Sequence, residues 1–307
     1  MKTKKSIMKL DAVETAFFKR QLEYVKSKTY DTKYKVLKSE MLIPISTEEP
    51  AGADYIIWYS FSKAGVAKVI ADYAHDFPRV DVYATEQQSR VWSIGSSYGY
   101  SIKEIRRAQL AGLNLNNQRA MACRRANDEK VDNLCWYGDS TRNIQGFFDY
   151  PGITSYTLTA GTGGLDWASK TGDEIIFDLT GLLSAISVPT FGREEADTVL
   201  LPRAQHNLIK RKRMEGNSDT TVLMFFMDTN PGVEVFALDE LAGQGAGGTD
   251  RMMAYTRDPE HLEQRIPQPF EQLEEEKKGM EYKIPCHSEH GGVTIYYPQS
   301  VAYSDGI

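Results

Sequence analysis

Cysteine, histidine and long apolar runs are all scarce in this chain, and each scarcity excludes something. Of 307 residues only Cys123, Cys135 and Cys286 are cysteine, an odd number with no close pair. A secreted disulfide scaffold is therefore excluded and a reducing compartment is expected. The most apolar run, Val222 to Met227, falls far short of the roughly 20 residues of a membrane helix. The N-terminus is basic, but Asp11 and Glu14 interrupt it before any apolar segment develops. No classical export signal and no membrane partner are expected, and the protein is read as soluble. Positive charge is also in deficit, with Lys and Arg at 36 against Asp and Glu at 42. A dedicated nucleic-acid binder carries the opposite bias, because phosphate neutralisation supplies most of its affinity. A protein that only encloses nucleic acid needs no such bias.

Catalytic fingerprints are absent as well. There is no phosphate-binding G-x-x-x-x-G-K-[ST], no H-E-x-x-H and no G-x-S-x-G. The glycines of Gly243 to Gly248 precede Asp250 to Tyr255, which reads as a strand. A dinucleotide fingerprint would follow a strand and open a helix. Cys286-His287 with His290 superficially suggests a metal or nucleophile cluster, yet zinc needs about four ligands at matched spacing. No second pair stands near, so no metal, cofactor or catalytic residue is nominated. A surface loop before a strand accounts for the same residues.

What is present is ordinary globular composition, 41% hydrophobic and 25% charged, in a chain long enough to bury a sizeable core. Roughly 150 residues per domain allows one large domain or two modest ones. Residues 1–50 carry weak periodicity, with Val13, Phe17, Leu22 and Val25 able to line a short helix before extended chain at Pro44 and Pro50. Too few apolar residues stand there for a core, so an arm lying on something else is expected. Tyr55 to Phe61, Val80 to Ala84 and Val91 to Tyr100 read as strands. Ser101 and Glu104 make an S-x-x-E capping box opening a long helix. Its apolar positions run from Ile102 through an expected kink at Gly112 to Leu134, and Gly138 stops it. Asp173 to Ser187 reads as a helix, Thr198 to Leu201 as a strand, and Pro202 to Ile209 as a helix. Val222 to Met227 reads as a buried strand, followed by strands at Val233 to Ala237 and Val293 to Tyr297. Strands and helices interleave without a βαβ rhythm, so the fold class is α+β.

Two surface features remain. Lys210, Arg211, Lys212 and Arg213 cluster at the end of a predicted helix. The helix dipole explains them locally; contact with phosphate or with a neighbour's acids, such as Glu271 to Glu276, is the functional alternative. Trp58, Tyr59 and Phe61 lie on a β-ribbon that cannot bury both its faces alone. They serve either core packing within the chain or an intersubunit contact.

The order of elements is more informative than any motif. The stretch from Tyr59 to Leu113 (YSFSKAGVAKV…AQLAGL), RRANDEKVDNLCWYGD at 124–139 followed by Ile144 to Phe147, ADTVLLPRAQHNLI at 196–209 and GGVTIYYPQSVAYSDGI at 291–307 together resemble the major capsid protein of tailed bacteriophages. That fold is shared with bacterial encapsulins, and the nearest likeness is a phage capsid family formerly catalogued as a domain of unknown function. The resemblance spans roughly residues 50 to 307. It implies an arm at 1–50, an extended β-ribbon loop at 51–100, and a peripheral domain with the long spine helix at 101–188. An axial domain at 189–270 and return strands at 271–307 would complete the chain. It also implies no enzymatic activity, and self-assembly as hexamers and pentamers of an icosahedral head shell. The shell would enclose double-stranded DNA without reading its sequence, in a virion assembled in the bacterial host cytoplasm. A separate scaffold, a portal and decoration proteins would be partners. Trp58, Tyr59, Phe61, Arg79 and Lys210 to Arg213 become the expected intersubunit residues. Some members of this fold crosslink a Lys to a neighbour's Asn. Lys63 and Lys68 lie in the corresponding loop, but no Asn or acid matches, so that chemistry is not carried over. An encapsulin-like compartment shell and a hydrolase using Cys286 with His287, His290 or His206 are the alternatives.

Overall fold

The computed structural model describes residues 34–67, 79–111, 116–215 and 219–307. The chain divides into two units, Met1–Val36 and Leu37–Ile307, and every element below belongs to the second. The helix expected through Val13 to Val25, the kink at Gly112 and Lys68 lie outside the described residues.

Helix α1 (Ser39–Leu42) opens the body, its Ser39 N–H donating to Asp132 Oδ1 at 3.1 Å. Leu42 and Ile43 are fully buried. Two apolar side chains suffice here because they enter a core that other segments build, a possibility the local composition concealed. Strand β1 (Ile45–Ser46) then pairs in parallel with a strand from far along the chain. A long ribbon follows, β2 (Tyr55–Ala64) antiparallel to β3 (Asp81–Arg90), in register from Tyr55 opposite Arg90 to Ala64 opposite Asp81. Strand β4 (Trp92–Ser101) leads directly into α2 (Ile102–Ala111).

The start of α2 is half of the expected capping box. Glu104 accepts from the Ser101 N–H at 3.1 Å, but Ser101 Oγ accepts from Lys103 N–H rather than from Glu104. Helix α3 (Asn116–Tyr137) buries Cys123, Asn127, Val131 and Leu134, the three-and-four spacing read from the sequence. It ends at Gly138, whose φ of +65° and close approach to the Ile144 carbonyl leave no room for a Cβ.

Strand β5 (Thr154–Ser155) precedes α4 (Gly172–Ser187), which carries a complete capping box between Thr171 and Glu174. The loop before α4 is pinned from beneath. Lys170 Nζ and Trp167 Nε1 both donate to Asp178 Oδ2, at 2.6 and 2.9 Å, with all three side chains buried. Next come β6 (Thr198–Leu201) and α5 (Arg203–Arg211), as expected. Val222 to Met227 is not a strand but the body of α6 (Val222–Thr229), capped by Thr221 accepting from Met224 N–H. A short apolar run does not declare its period. Here Val222 and Phe226, one helical turn apart, are the buried pair.

Strands β7 (Glu234–Ala237), β8 (Arg251–Tyr255), β9 (Leu262–Arg265), β10 (Gln268–Gln272), β11 (Glu276–Lys278), β12 (Glu281–His290), β13 (Val293–Ile295) and β14 (Val301–Asp305) complete the chain. The central sheet runs β5-β14-β8-β6-β7 and is covered on both faces. Along β8, Met252 and Ala254 join the core beneath α4, α5 and α6, while Met253 and Tyr255 join the core with Trp136, Phe147 and Phe148. Alternation by two thus divides one strand between two cores. Helix α4, expected with residues 101–188, packs with the elements expected in 189–270. Strand β9, expected among the latter, pairs with β1 and β13 instead. The remaining sheet places β12 between β4 on one side and β10 and β11 on the other.

Candidate functional site

The most unusual surface is the ribbon. Opposed residues in an antiparallel pair share a face, so one face carries Tyr55, Ile57, Tyr59, Phe61 and Lys63 with Arg90, Gln88, Glu86, Ala84 and Val82 from β3. Tyr59 is 58% and Phe61 66% exposed. The opposite face begins with Ile56 and Trp58, both half-buried. The Trp58 ring meets Tyr296 edge-on with centroids 6.1 Å apart, and the Arg265 guanidinium lies 4.4 Å from its centroid. Trp58 therefore packs against its own chain, whereas Tyr59 and Phe61, on the other face, are exposed and have no ring or cation contact among the described residues.

Arg265 organises the ribbon base. It is 1% exposed, ion-paired to Glu263 at 3.4 Å and Glu49 at 3.5 Å, and donates to Tyr296 Oη at 3.0 Å. Tyr296 Oη in turn donates to Glu263, and burial together with that carboxylate pushes the phenol up to about 12. The sequence reading missed Arg265 and Tyr296, because their partners stand far away along the chain and no local spacing marks them.

The basic cluster does not survive as one patch. Lys210 and Arg211 are exposed at the end of α5. Lys212 turns inward, donating to the carbonyls of Trp167 (3.1 Å) and Lys170. Arg213 pairs with Asp219 at 3.2 Å. Arg79 is exposed just before β3, and Glu271 to Glu276 are exposed along β10 and β11.

Among the described residues, no histidine is hydrogen-bonded to the Cys286 thiol. Cys286 is 2% exposed, and its thiol is pushed up to about 12 by burial and by the neighbouring Cys123 thiol, the opposite of an activated nucleophile. His287 follows it in a strand and so faces the other side of the sheet. His290 is fully buried, with Nδ1 accepting from Gly292 N–H and Nε2 against the Gln264 amide at 2.9 Å. His206 lies on α5, where burial holds its pKa down. Among the described residues, no group of three or more His, Cys, Asp or Glu side chains could hold a metal ion. No described helix is long and apolar enough to cross a membrane.

Comparison with known proteins gives this architecture a context. No curated protein sequence matches the chain. The capsid of the Myoviridae phage XM1 superposes with a TM-score of 0.80 at 20% identity, covering 94% of this chain and 98% of that one. A capsid protein of an empty GTA particle gives 0.66 at 8% identity over 97% and 99%. A chain from Gordonia phage Cozz gives 0.62 at 12% identity over 99% and 98%. The fold is thus the one built into tailed-phage capsids. The family model described as "Major capsid protein" matches residues 65–307, from the middle of the ribbon to the last residue. The model spans well over half of the chain and agrees with the fold, and this chain belongs to the major capsid protein family of tailed phages.

Proposed function

We propose that copies of this chain join as hexamers and pentamers into a closed icosahedral head shell that encloses double-stranded DNA. The observation that carries this reading is the row of Ile57, Tyr59 and Phe61 along one ribbon face, paired in register with β3 and exposed among the described residues. Exposed apolar area of this kind is a contact surface awaiting a partner. A neighbouring copy supplies that partner in a shell, and many modest contacts repeated around it give a tight assembly. The body built on the central sheet with α4 to α6 is read as the axial domain. Helix α3 with the sheet of β4, β10, β11 and β12 is read as the peripheral domain. Lys210, Arg211 and Arg79 remain exposed cations available to a neighbour's acids. A separate scaffold, a portal and decoration proteins would act on this subunit in the host cytoplasm, and the finished virion is its destination.

The test separates the two ribbon faces. Tyr59→Ser with Phe61→Ser should leave the thermal midpoint of the monomer unchanged and abolish shells in negative-stain electron microscopy and light-scattering mass. Trp58→Ser should lower the thermal midpoint, because it removes the ring under Arg265. Shells that form normally from the Tyr59/Phe61 variant would defeat the reading.

A further inference from the structure

Helix α2 carries a stripe of side chains that no hydrogen bond or ion pair among the described residues uses. Lys103, Arg106, Arg107 and Leu110 recur at three and four residues, so they lie on one face of the helix. All four are exposed, Leu110 to 93%. The setting is unusual for an acidic chain, since residues 103–125 hold six cations and one acid. That acid, Glu104, is occupied by Arg119 in a two-pronged pair at 3.0 and 3.2 Å. Arg119 also donates to the Gly99 carbonyl and covers the Tyr100 ring at 4.7 Å. Glu104 and Arg119 thus satisfy each other, the nearby Arg107 adds only a weaker pull on Glu104, and among the described residues no hydrogen bond or ion pair engages the side chains of Lys103, Arg106 or Arg107.

The complementary surface stands on the same molecule. Glu271, Leu273, Glu274 and Glu275 are exposed at the junction of β10 and β11, with Leu273 46% exposed. The two cations that follow are engaged locally. Lys277 lies 5.8 Å from the Tyr282 ring centroid, and Lys278 stands opposite Glu281 in the ladder. Among the described residues, no hydrogen bond or ion pair joins this acidic segment to the α2 stripe within one copy.

We propose that the α2 stripe of one copy docks on the Glu271–Glu275 segment of a second copy, three cations facing three carboxylates and Leu110 facing Leu273. The proposal rests on the shell reading and adds to it a specific polar contact, separate from the ribbon. A leucine standing uncovered among the cations argues for this occupant over nucleic acid, because a phosphate backbone offers it nothing to bury against. Contact between two different surfaces is head-to-tail, the kind that closes rings. Charge sets the register and speeds encounter.

The experiment is a charge swap on the full chain, with assembly followed by light-scattering mass from low to high ionic strength. Arg106→Glu with Arg107→Glu should raise the concentration needed for assembly about tenfold, with the thermal midpoint unchanged. Glu274→Lys with Glu275→Lys should do the same, and the chain carrying all four changes should assemble again. As a second readout, Leu110→Cys with Leu273→Cys should give interchain disulfides when particles are exposed to a mild thiol oxidant. Single swaps that assemble like the parent overturn the proposal, as does a fourfold variant that fails to recover. A basic-side variant that assembles but no longer retains nucleic acid assigns the stripe to nucleic acid and also overturns it. A parent chain that stays monomeric at every ionic strength overturns the shell reading itself, an outcome distinct from the others.

Discussion

One guanidinium, that of Arg265, binds the ribbon to the body through Trp58, Glu49, Glu263 and Tyr296. Beside it in the sequence, Gln264 meets a histidine whose protonation is coupled to folding. Gly292 N–H donates to His290 Nδ1, so the neutral ring carries its proton on Nε2, and the Gln264 amide 2.9 Å away must turn its oxygen, rather than its nitrogen, to that N–H to accept it. Burial lowers the His290 pKa to about 4, against an ordinary 6.5. Between these values the unfolded chain binds a proton that the folded chain refuses, so stability rises with pH across the window. On acidification from about 6.5 to 4, stability should fall by about 3 kcal/mol from this residue. Denaturant unfolding at a series of pH values checks this: His290→Gln should flatten the slope between those limits, leaving the share that His206 contributes. An unaltered slope would place the pH dependence elsewhere.

At the scale of the element, the two helix starts make a comparison. Thr171 and Glu174 exchange both capping bonds, and Glu174 also accepts from Thr162 N–H and Oγ1 at 2.9 Å. These bonds, led by that from Thr171, hold the Glu174 carboxyl down to about 2. Ser101 and Glu104 complete only one of the two capping bonds. Thr171→Ala should therefore cost about 1 kcal/mol of stability, and Ser101→Ala less. Equal losses in denaturant unfolding would contradict the difference. Both T-x-x-E and S-x-x-E stand in the sequence, and the second completes fewer of its bonds. The local pattern shows which groups are available to cap; the backbone's path into the helix decides which N–H the hydroxyl reaches. Likewise the apolar run of Val222 to Met227 contained no periodic signal able to separate helix from strand, and the choice was made by how α6 packs beside α4 and α5.

At the scale of the whole molecule, the described residues of the unit Leu37–Ile307 form two cores and a ribbon that meets them at its base. Beyond Ser60, the described ribbon residues up to Ala67 are exposed. A two-stranded ribbon standing free has little to hold it against local opening. Trypsin should therefore cut the monomer first after Lys63 and Arg79, both exposed. If the ribbon lies on a neighbour in the shell, assembly should slow those cuts while leaving sites in the body unaffected. Mass mapping of early fragments from monomer and particle checks this, and identical cleavage rates at the ribbon would argue against its burial on assembly.

The sequence by itself determined the α+β class, the long antiparallel ribbon, the buried face of α3 and the stop at Gly138. Each of these is written in local spacing or in a residue whose backbone freedom is required. The family, too, was legible in the order of its segments. Only the tertiary structure decided that Trp58 faces inward while Tyr59 and Phe61 face out, because alternation names two faces without saying which one meets the body. It also decided that Lys212 leaves the basic cluster to cap buried carbonyls, and that Leu42 and Ile43 enter a core built mostly from residues more than ninety positions away. Such pairings depend on which distant segments arrive together, and burial energy settles that for the chain as a whole, not for any window of it.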